Sequence, residues 1–205
     1  MTALALGDAE TFGRCTAVGG VALFPADTVY GLATEPESKE GVRRLYRLKG
    51  RDAGRPAAVM FFDLELALAA LPELGLRTRA AIERLLPGAL TVLLPNPARR
   101  YPLACGPEPA RLGLRVPELP ARLAALGAVR WPVLQSSANR SGGADARRLG
   151  DVDERIRRGV DLELDGGELP GLASTVVDLT RYEDEGRHAV LREGAVRADR
   201  VRAAL

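Results

Sequence analysis

Short apolar runs closed by glycine or proline alternate along this chain with longer segments whose apolar residues recur at helical spacing, the pattern of an α/β protein. Val21-Ala22-Leu23-Phe24 follows Gly19-Gly20 and stops at Pro25, the length and punctuation of a buried strand. Ala26–Leu32 continues it as a strand-to-loop segment that offers Asp27, Thr28 and Tyr30 at a strand's carboxyl end, where open α/β sheets hold ligands. The same residues would also serve as a plain turn. Ser38 is placed as an N-cap, and Val42, Leu45, Tyr46 and Leu48 predict a helix running up to Gly50.

Further along, the pattern predicts a strand over Ala57–Phe62 and helices over Asp63–Leu71 and Thr78–Leu86, the second stopped by Pro87-Gly88. Ala89–Pro95 reads as a strand, Asn96–Pro109 as a proline- and glycine-rich surface loop over a cleft, and Leu112–Pro117 as a strand. Glu118–Leu126 reads as helix, Trp131–Gln135 as strand, and Ser136–Gly143 as a loop of small hydroxyl and amide side chains. Val152–Arg158 is expected helical, Val160–Leu164 and Ser174–Leu179 extended, and Tyr182–Arg187 the exposed tip of a hairpin completed by Ala189–Arg192. Asp199–Leu205 closes as a terminal helix. No internal repeat or long linker divides the chain, so one domain over 1–205 is expected.

Composition narrows the function classes. Aromatics are 4% of 205 residues, which leaves little surface for stacking bases, and 29 basic against 27 acidic residues do not make a general nucleic-acid binder. A local basic cleft for small anions suits the chain better. His188 is the single histidine, and Cys15 and Cys105 stand alone, so no zinc site forms from the usual ligands. The cysteines read as reduced thiols of a cytoplasmic protein. Met1–Gly13 lacks a basic leader pattern and no apolar run reaches membrane-spanning length, so neither export nor a membrane is expected.

The candidate chemistry is cationic. Lys49-Gly50-Arg51-Asp52-Ala53-Gly54-Arg55-Pro56 holds three cations in a glycine-loosened loop after a helix, and Lys49 is one of only two lysines. Arginine offers a planar fork to phosphate oxygens and lysine a compact charge. A helix C-terminus also favours cations for its own sake. Arg115 points from an otherwise apolar strand and needs an anion or carboxylate.

Taken together, Pro25–Leu32, Lys49-Gly50-Arg51, Leu86-Pro87-Gly88 with Leu90-Thr91, Arg115-Val116-Pro117, Ser136–Gly142, Ser174–Asp178 and Leu191–Ala195 resemble the YrdC-like threonylcarbamoyl-AMP synthases over about Val18 to Val196. The length resembles the short, single-domain form of that family. The resemblance implies a twisted, open mixed sheet with packed helices and a large basic cavity, similar to the dsRNA-binding YrdC/RibB-type architecture. It implies synthesis of L-threonylcarbamoyl-adenylate from L-threonine, bicarbonate and ATP with release of pyrophosphate, the first step of a tRNA adenosine modification. By position, Lys49, Arg51, Ser137 and Asn139 match the family's catalytic tetrad. Arg51, Arg55, Ser137 and Arg192 fall at ATP-binding positions, and Thr28, Arg115 and Ser174 at threonine-binding ones. Mg2+ accompanies ATP in this reading, with no protein metal site. The partners implied are weakly bound tRNA or dsRNA and the downstream proteins that transfer the threonylcarbamoyl group to tRNA. Ala26, Asp52, Met60 and Arg111 depart from the family pattern, Arg111 standing where a small hydroxyl residue is usual.

Attack of a carbamate oxygen on an α-phosphorus builds charge on phosphoryl oxygens, so fixed cations are the protein's main contribution. Without a well-placed histidine, catalysis by positioning and electrostatics is expected, with Ser137 orienting substrate rather than acting as a nucleophile. A carbamoyl-adenylate enzyme on the same cavity and a non-enzymatic RNA- or nucleotide-binding paralogue are the alternatives.

Overall fold

The computed structural model describes residues 3–52 and 54–205; Met1, Thr2 and Ala53, the last inside the basic loop, lie outside the described residues. In chain order the elements are α1 (Leu6–Ala17), β1 (Ala22–Pro25), β2 (Tyr30–Thr34), α2 (Lys39–Lys49), β3 (Ala58–Met60), α3 (Leu64–Ala70), α4 (Leu76–Leu85) and β4 (Leu90–Pro95). There follow α5 (Pro102–Cys105), β5 (Arg111–Arg115), a 3-10 segment (Ala121–Ala128), β6 (Val133–Ser137), a second 3-10 turn (Leu149–Asp151), α6 (Glu154–Gly159) and β7 (Leu162–Glu163). The chain finishes with β8 (Thr175–Asp178), α7 (Tyr182–Glu185), β9 (Ala189–Arg192) and α8 (Ala198–Ala204).

One nine-stranded sheet, ordered β7-β1-β2-β6-β3-β5-β4-β8-β9, runs through the described residues. It is mixed: β1–β7, β3–β5 and β4–β8 are parallel, and the other neighbours are antiparallel. This is the α/β, twisted mixed sheet that the resemblance implied. β1 and β2 are buried at every position, so they read as continuous apolar runs, whereas β4 and β8 alternate. Phe12 of α1, Phe24 of β1 and Phe62 beyond β3 stack into one aromatic cluster with centroids 5.0–6.2 Å apart, which seats α1 on the sheet.

α2 forms where its apolar spacing predicts. The Ser38 hydroxyl accepts from Gly41 N at 3.1 Å, and Gly50 closes the helix at φ 57, a left-handed cap that glycine takes without strain. Gly41 lies close against β2, since a Cβ there would sit 2.2 Å from Thr34 Oγ1.

The structure corrects several boundaries. The residues expected as a helix at Glu118–Leu126 take 3-10 geometry over Ala121–Ala128, beginning after Pro120. The strand expected over Trp131–Gln135 runs instead from Val133 to Ser137, so Ser136 and Ser137 are strand residues. Tyr182–Arg187 does join two paired strands, yet it is not simply exposed: its first residues form α7, and Tyr182 is buried with its hydroxyl donating to Leu205 O at 3.0 Å. The loop Asn96–Pro109 contains α5 and is tied down. Asn96, 1% exposed, donates to Arg100 O and Pro109 O and accepts from Arg100 N, while Ala57 N donates to Ala104 O. No helix among the described residues is long and apolar enough to cross a membrane.

Candidate anion-binding site

The middle of the sheet carries a cavity of about 320 Å3, within the range of small-ligand sites. β5 supplies Arg111, Gly113 and Arg115 to it, same-face positions of one strand. β4 adds Thr91 and Leu93, Ala57 and the first residue of β3, Ala58, line it too, and β6 adds Gln135, Ser136 and Ser137. Thr28, Arg51, Cys105, Glu108, Asp145, Ser174 and Arg192 complete the polar lining. Four arginines thus meet two carboxylates in one hollow.

Arg115 is the most deeply held of them. Its Nη2 donates to Asp27 Oδ1 at 2.6 Å and Thr28 Oγ1 at 3.3 Å, and its Nη1 donates to Gln135 Oε1 at 3.2 Å. The two ion-pair side chains are only 5% and 4% exposed. Burial pulls the guanidinium pKa down against the opposing pull of Asp27, and burial pushes Asp27's carboxyl up against the opposing pull of Arg115. Arg115 Nε keeps a buried N–H with no partner among the described residues. Opposite it, Ser174 Oγ lies 2.8 Å from Thr91 Oγ1, and Arg192 Nη2 donates to Ser174 O at 2.7 Å.

Arg51 lies over the Tyr46 ring at 5.7 Å and donates to Ser136 Oγ at 3.2 Å and to Pro56 O. Its Nε is likewise unpartnered among the described residues. Lys49 does not line the cavity. It is buried behind the wall at the end of α2, and its ammonium donates to Ser137 O, to Asn139 O at 2.8 Å and to Asn139 Oδ1 at 3.1 Å. Burial first, then the charge of Arg51, lowers its pKa to about 8, with Asp145 pulling the other way. Asn139 Oδ1 also accepts from Ser137 Oγ at 2.7 Å, and Ser141 N donates to Lys49 O at 2.9 Å, so the end of α2 and the turn after β6 form one polar knot.

The structure therefore brings Thr28, Arg51, Arg115, Ser137, Ser174 and Arg192 to one cavity and sets Lys49 and Asn139 directly behind Ser137. Arg55 is not brought there: its side chain is exposed outside the lining, and its carbonyl accepts from Tyr46 Oη at 2.9 Å. Sequence reasoning gave no site role to Gln135, Glu108, Asp145 or Cys105. The alternation of β5 was the available signal for Arg111, which shares a face with Arg115.

A mixed α/β sheet whose central strands hold guanidinium groups and hydroxyls around a hollow carries the residue types that small anionic ligands require. Its ancestry is specific. The chain belongs to the Sua5/YciO/YrdC family, whose model, described as "Telomere recombination", matches residues 15–194. It is 33% identical over 167 residues to the threonylcarbamoyl-AMP synthase of Chromohalobacter salexigens, covering 80% of this chain and 89% of that one. To the threonylcarbamoyl-AMP synthase of Pyrococcus abyssi it is 30% identical over 168 residues, 80% of this chain but 48% of the relative, so it spans about half that protein's length. The crystal structure of Pyrococcus abyssi Sua5 complexed with L-threonine superposes with a TM-score of 0.84 at 24% identity, over 98% of this chain and 58% of that one.

Proposed function

We propose that the chain condenses L-threonine, bicarbonate and ATP into L-threonylcarbamoyl-adenylate and pyrophosphate. The observation that carries this reading is one cavity with a carboxylate-seeking arginine, Arg115, and phosphate-seeking arginines, Arg51 and Arg192. The shared name of the curated relatives supports it over carbamoyl-adenylate chemistry and over RNA binding without catalysis.

Arg115 holds the threonine carboxylate, with the Thr28 hydroxyl against its guanidinium and Ser174 in the same lining. Bicarbonate takes up one proton and loses its hydroxyl as water to give CO2; the neutral threonine amine bonds to that carbon and gives up one proton as the carbamate forms, and a carbamate oxygen then forms a bond to the α-phosphorus. The bond from that phosphorus to the bridging oxygen of pyrophosphate breaks, and its electron pair leaves with pyrophosphate. Arg51, Arg192 and the Ser137 hydroxyl stabilise the charge that builds on phosphoryl oxygens. Lys49 and Asn139 position Ser137 and add a fixed positive charge behind it.

Among the described residues no three of His, Cys, Asp and Glu gather as a metal cage. The donor set suits an Mg2+ that arrives on the triphosphate, with Asp145 as the nearby carboxylate. Such an ion would supply charge shielding of the phosphates. The product is the activated donor for tRNA adenosine, handed to transfer proteins in a cytoplasmic setting. Weak contact with tRNA belongs to the same reading.

The test is pyrophosphate release from ATP with bicarbonate and Mg2+, run with L-threonine, with L-serine and with no amino acid. Release that requires threonine and bicarbonate is expected. ATP binding without amino-acid-dependent release sinks the proposal.

A further inference from the structure

Arg111 and Arg115 are the two ends of β5 and share its cavity face, about 13 Å apart along the strand, with only Gly113 between them on that face. Their partners differ sharply. Arg115 is locked to buried Asp27, whereas Arg111 is paired at 2.8 Å with Glu108, three residues away, and these side chains are 34% and 55% exposed. An ion pair that wet contributes little and exchanges readily. Glu108 is also placed to let go without the wall moving. Its backbone stays held because Arg111 N donates to Glu108 O at 3.0 Å and Asn96 staples the loop behind it. Both side chains of the pair line the cavity, so the guanidinium is already at the surface a ligand would meet.

We propose that Arg111 is a polyphosphate-contacting residue of this cavity and that Glu108 occupies its guanidinium as a surrogate anion until phosphate oxygens displace it. A phosphate chain carries more charge than one carboxylate and offers paired oxygens to the same planar fork, so exchange favours the ligand. The site then opposes Arg111 to Arg115 across a bare glycine floor, one arginine for phosphate and one for a carboxylate. This assignment rests on the nucleotide reading above but concerns a residue that the family pattern does not supply, since a small hydroxyl residue is usual there.

The experiment is calorimetric binding of inorganic tripolyphosphate, of ATP with Mg2+, and of adenosine to the wild type, R111S, E108Q and the double variant. R111S is expected to weaken tripolyphosphate and ATP about tenfold, and E108Q to tighten both about threefold or more, the size of effect charge-assisted pairs carry. In the R111S background E108Q should change nothing, and adenosine should bind all four proteins alike. R111K, which keeps the charge without the fork, should fall between wild type and R111S. The proposal is overturned if wild type fails to bind tripolyphosphate, if R111S leaves its affinity intact, if the E108Q gain persists without Arg111, or if adenosine weakens in step with ATP. A protein that binds tripolyphosphate through Arg111 yet shows no threonine-dependent pyrophosphate release keeps this inference and loses the synthase reading.

Discussion

At Lys49 a buried ammonium answers three oxygens of the turn after β6, and each of its N–H bonds has an acceptor. Lys49→Met strips the ammonium from all three oxygens and leaves Asn139 Oδ1 only its bond from Ser137 Oγ, so it should cost about 1–3 kcal/mol of stability, seen as a lower urea midpoint at pH 7. The pH dependence has a definite sign. With its folded pKa depressed to about 8 by burial and Arg51, the native state sheds this proton before the unfolded chain does. Between about pH 8 and pH 10.4 the unfolded state therefore binds more protons, and the lysine's contribution to stability grows as pH rises. The gap in unfolding free energy between wild type and Lys49→Met should widen from pH 7.5 to pH 9.5; a constant gap would show that the lysine is not depressed. Turnover should move oppositely, falling as the ammonium discharges near pH 8. Arg115→Ala should abolish threonine dependence while sparing ATP binding, because it strips Asp27 and the amino-acid end of the cavity and leaves Arg51 and Arg192 untouched. Equal loss of ATP and threonine binding by calorimetry would contradict that division.

Among the elements, the loop between β4 and β5 is where tethering matters most. Asn96→Ala removes the bonds to Arg100 and Pro109 at once, so a loss of about 1–3 kcal/mol is expected, together with faster proteolysis within 97–109. Unchanged cleavage would show that Arg100–Glu73, at 2.8 Å, and the bond from Ala57 N to Ala104 O hold the loop alone. This loop was legible as a loop but not as an anchored wall, because its fastening depends on one amide meeting carbonyls that folding brings near. α2 was legible almost residue by residue, since Ser38, the apolar stripe and Gly50 all act locally. α1 was not, because its buried side consists of Ala9, Phe12 and Thr16, too sparse a stripe to declare a helix. Ser136 and Ser137 looked like loop residues from composition, yet β2 offers register partners at Leu32 and Gly31 and extends β6 through them. Glu118–Leu126 had helical spacing, but a segment entered from Pro120 settled into tighter 3-10 turns. The family motifs placed most of the candidate site. What they could not place was pairing: which arginine is buried with Asp27, and that Arg55 is exposed outside the lining.

On the scale of the whole molecule, the site belongs to no contiguous stretch. Thr28 precedes β2, Arg115 ends β5, Ser137 ends β6, Ser174 precedes β8 and Arg192 ends β9, strands interleaved in the order β2-β6-β3-β5-β4-β8-β9. A ligand bridging them ties both sides of the sheet together, and at about a hundredfold excess over Kd it adds about 2.7 kcal/mol. For a chain of this size that corresponds to a rise of about 5–11 °C in Tm with ATP and Mg2+. The unfolding curves from far-UV and near-UV circular dichroism should stay coincident; two transitions, with only one moved by ligand, would mean that the halves of the sheet melt separately.

The same interleaving sets a clock on synthesis. Arg192 leaves the ribosome after every other member of the cavity, and β4 waits for β8, more than eighty residues downstream, before its outer edge is paired, as Leu90 pairs with Thr175. Such long-range pairing is slow to form. A nascent or prematurely ended chain therefore carries the loops and the cations without the hollow they define. On the synthase reading proposed above, the cavity that would hold ATP is complete only once the last hairpin has docked and brought Arg192 to it.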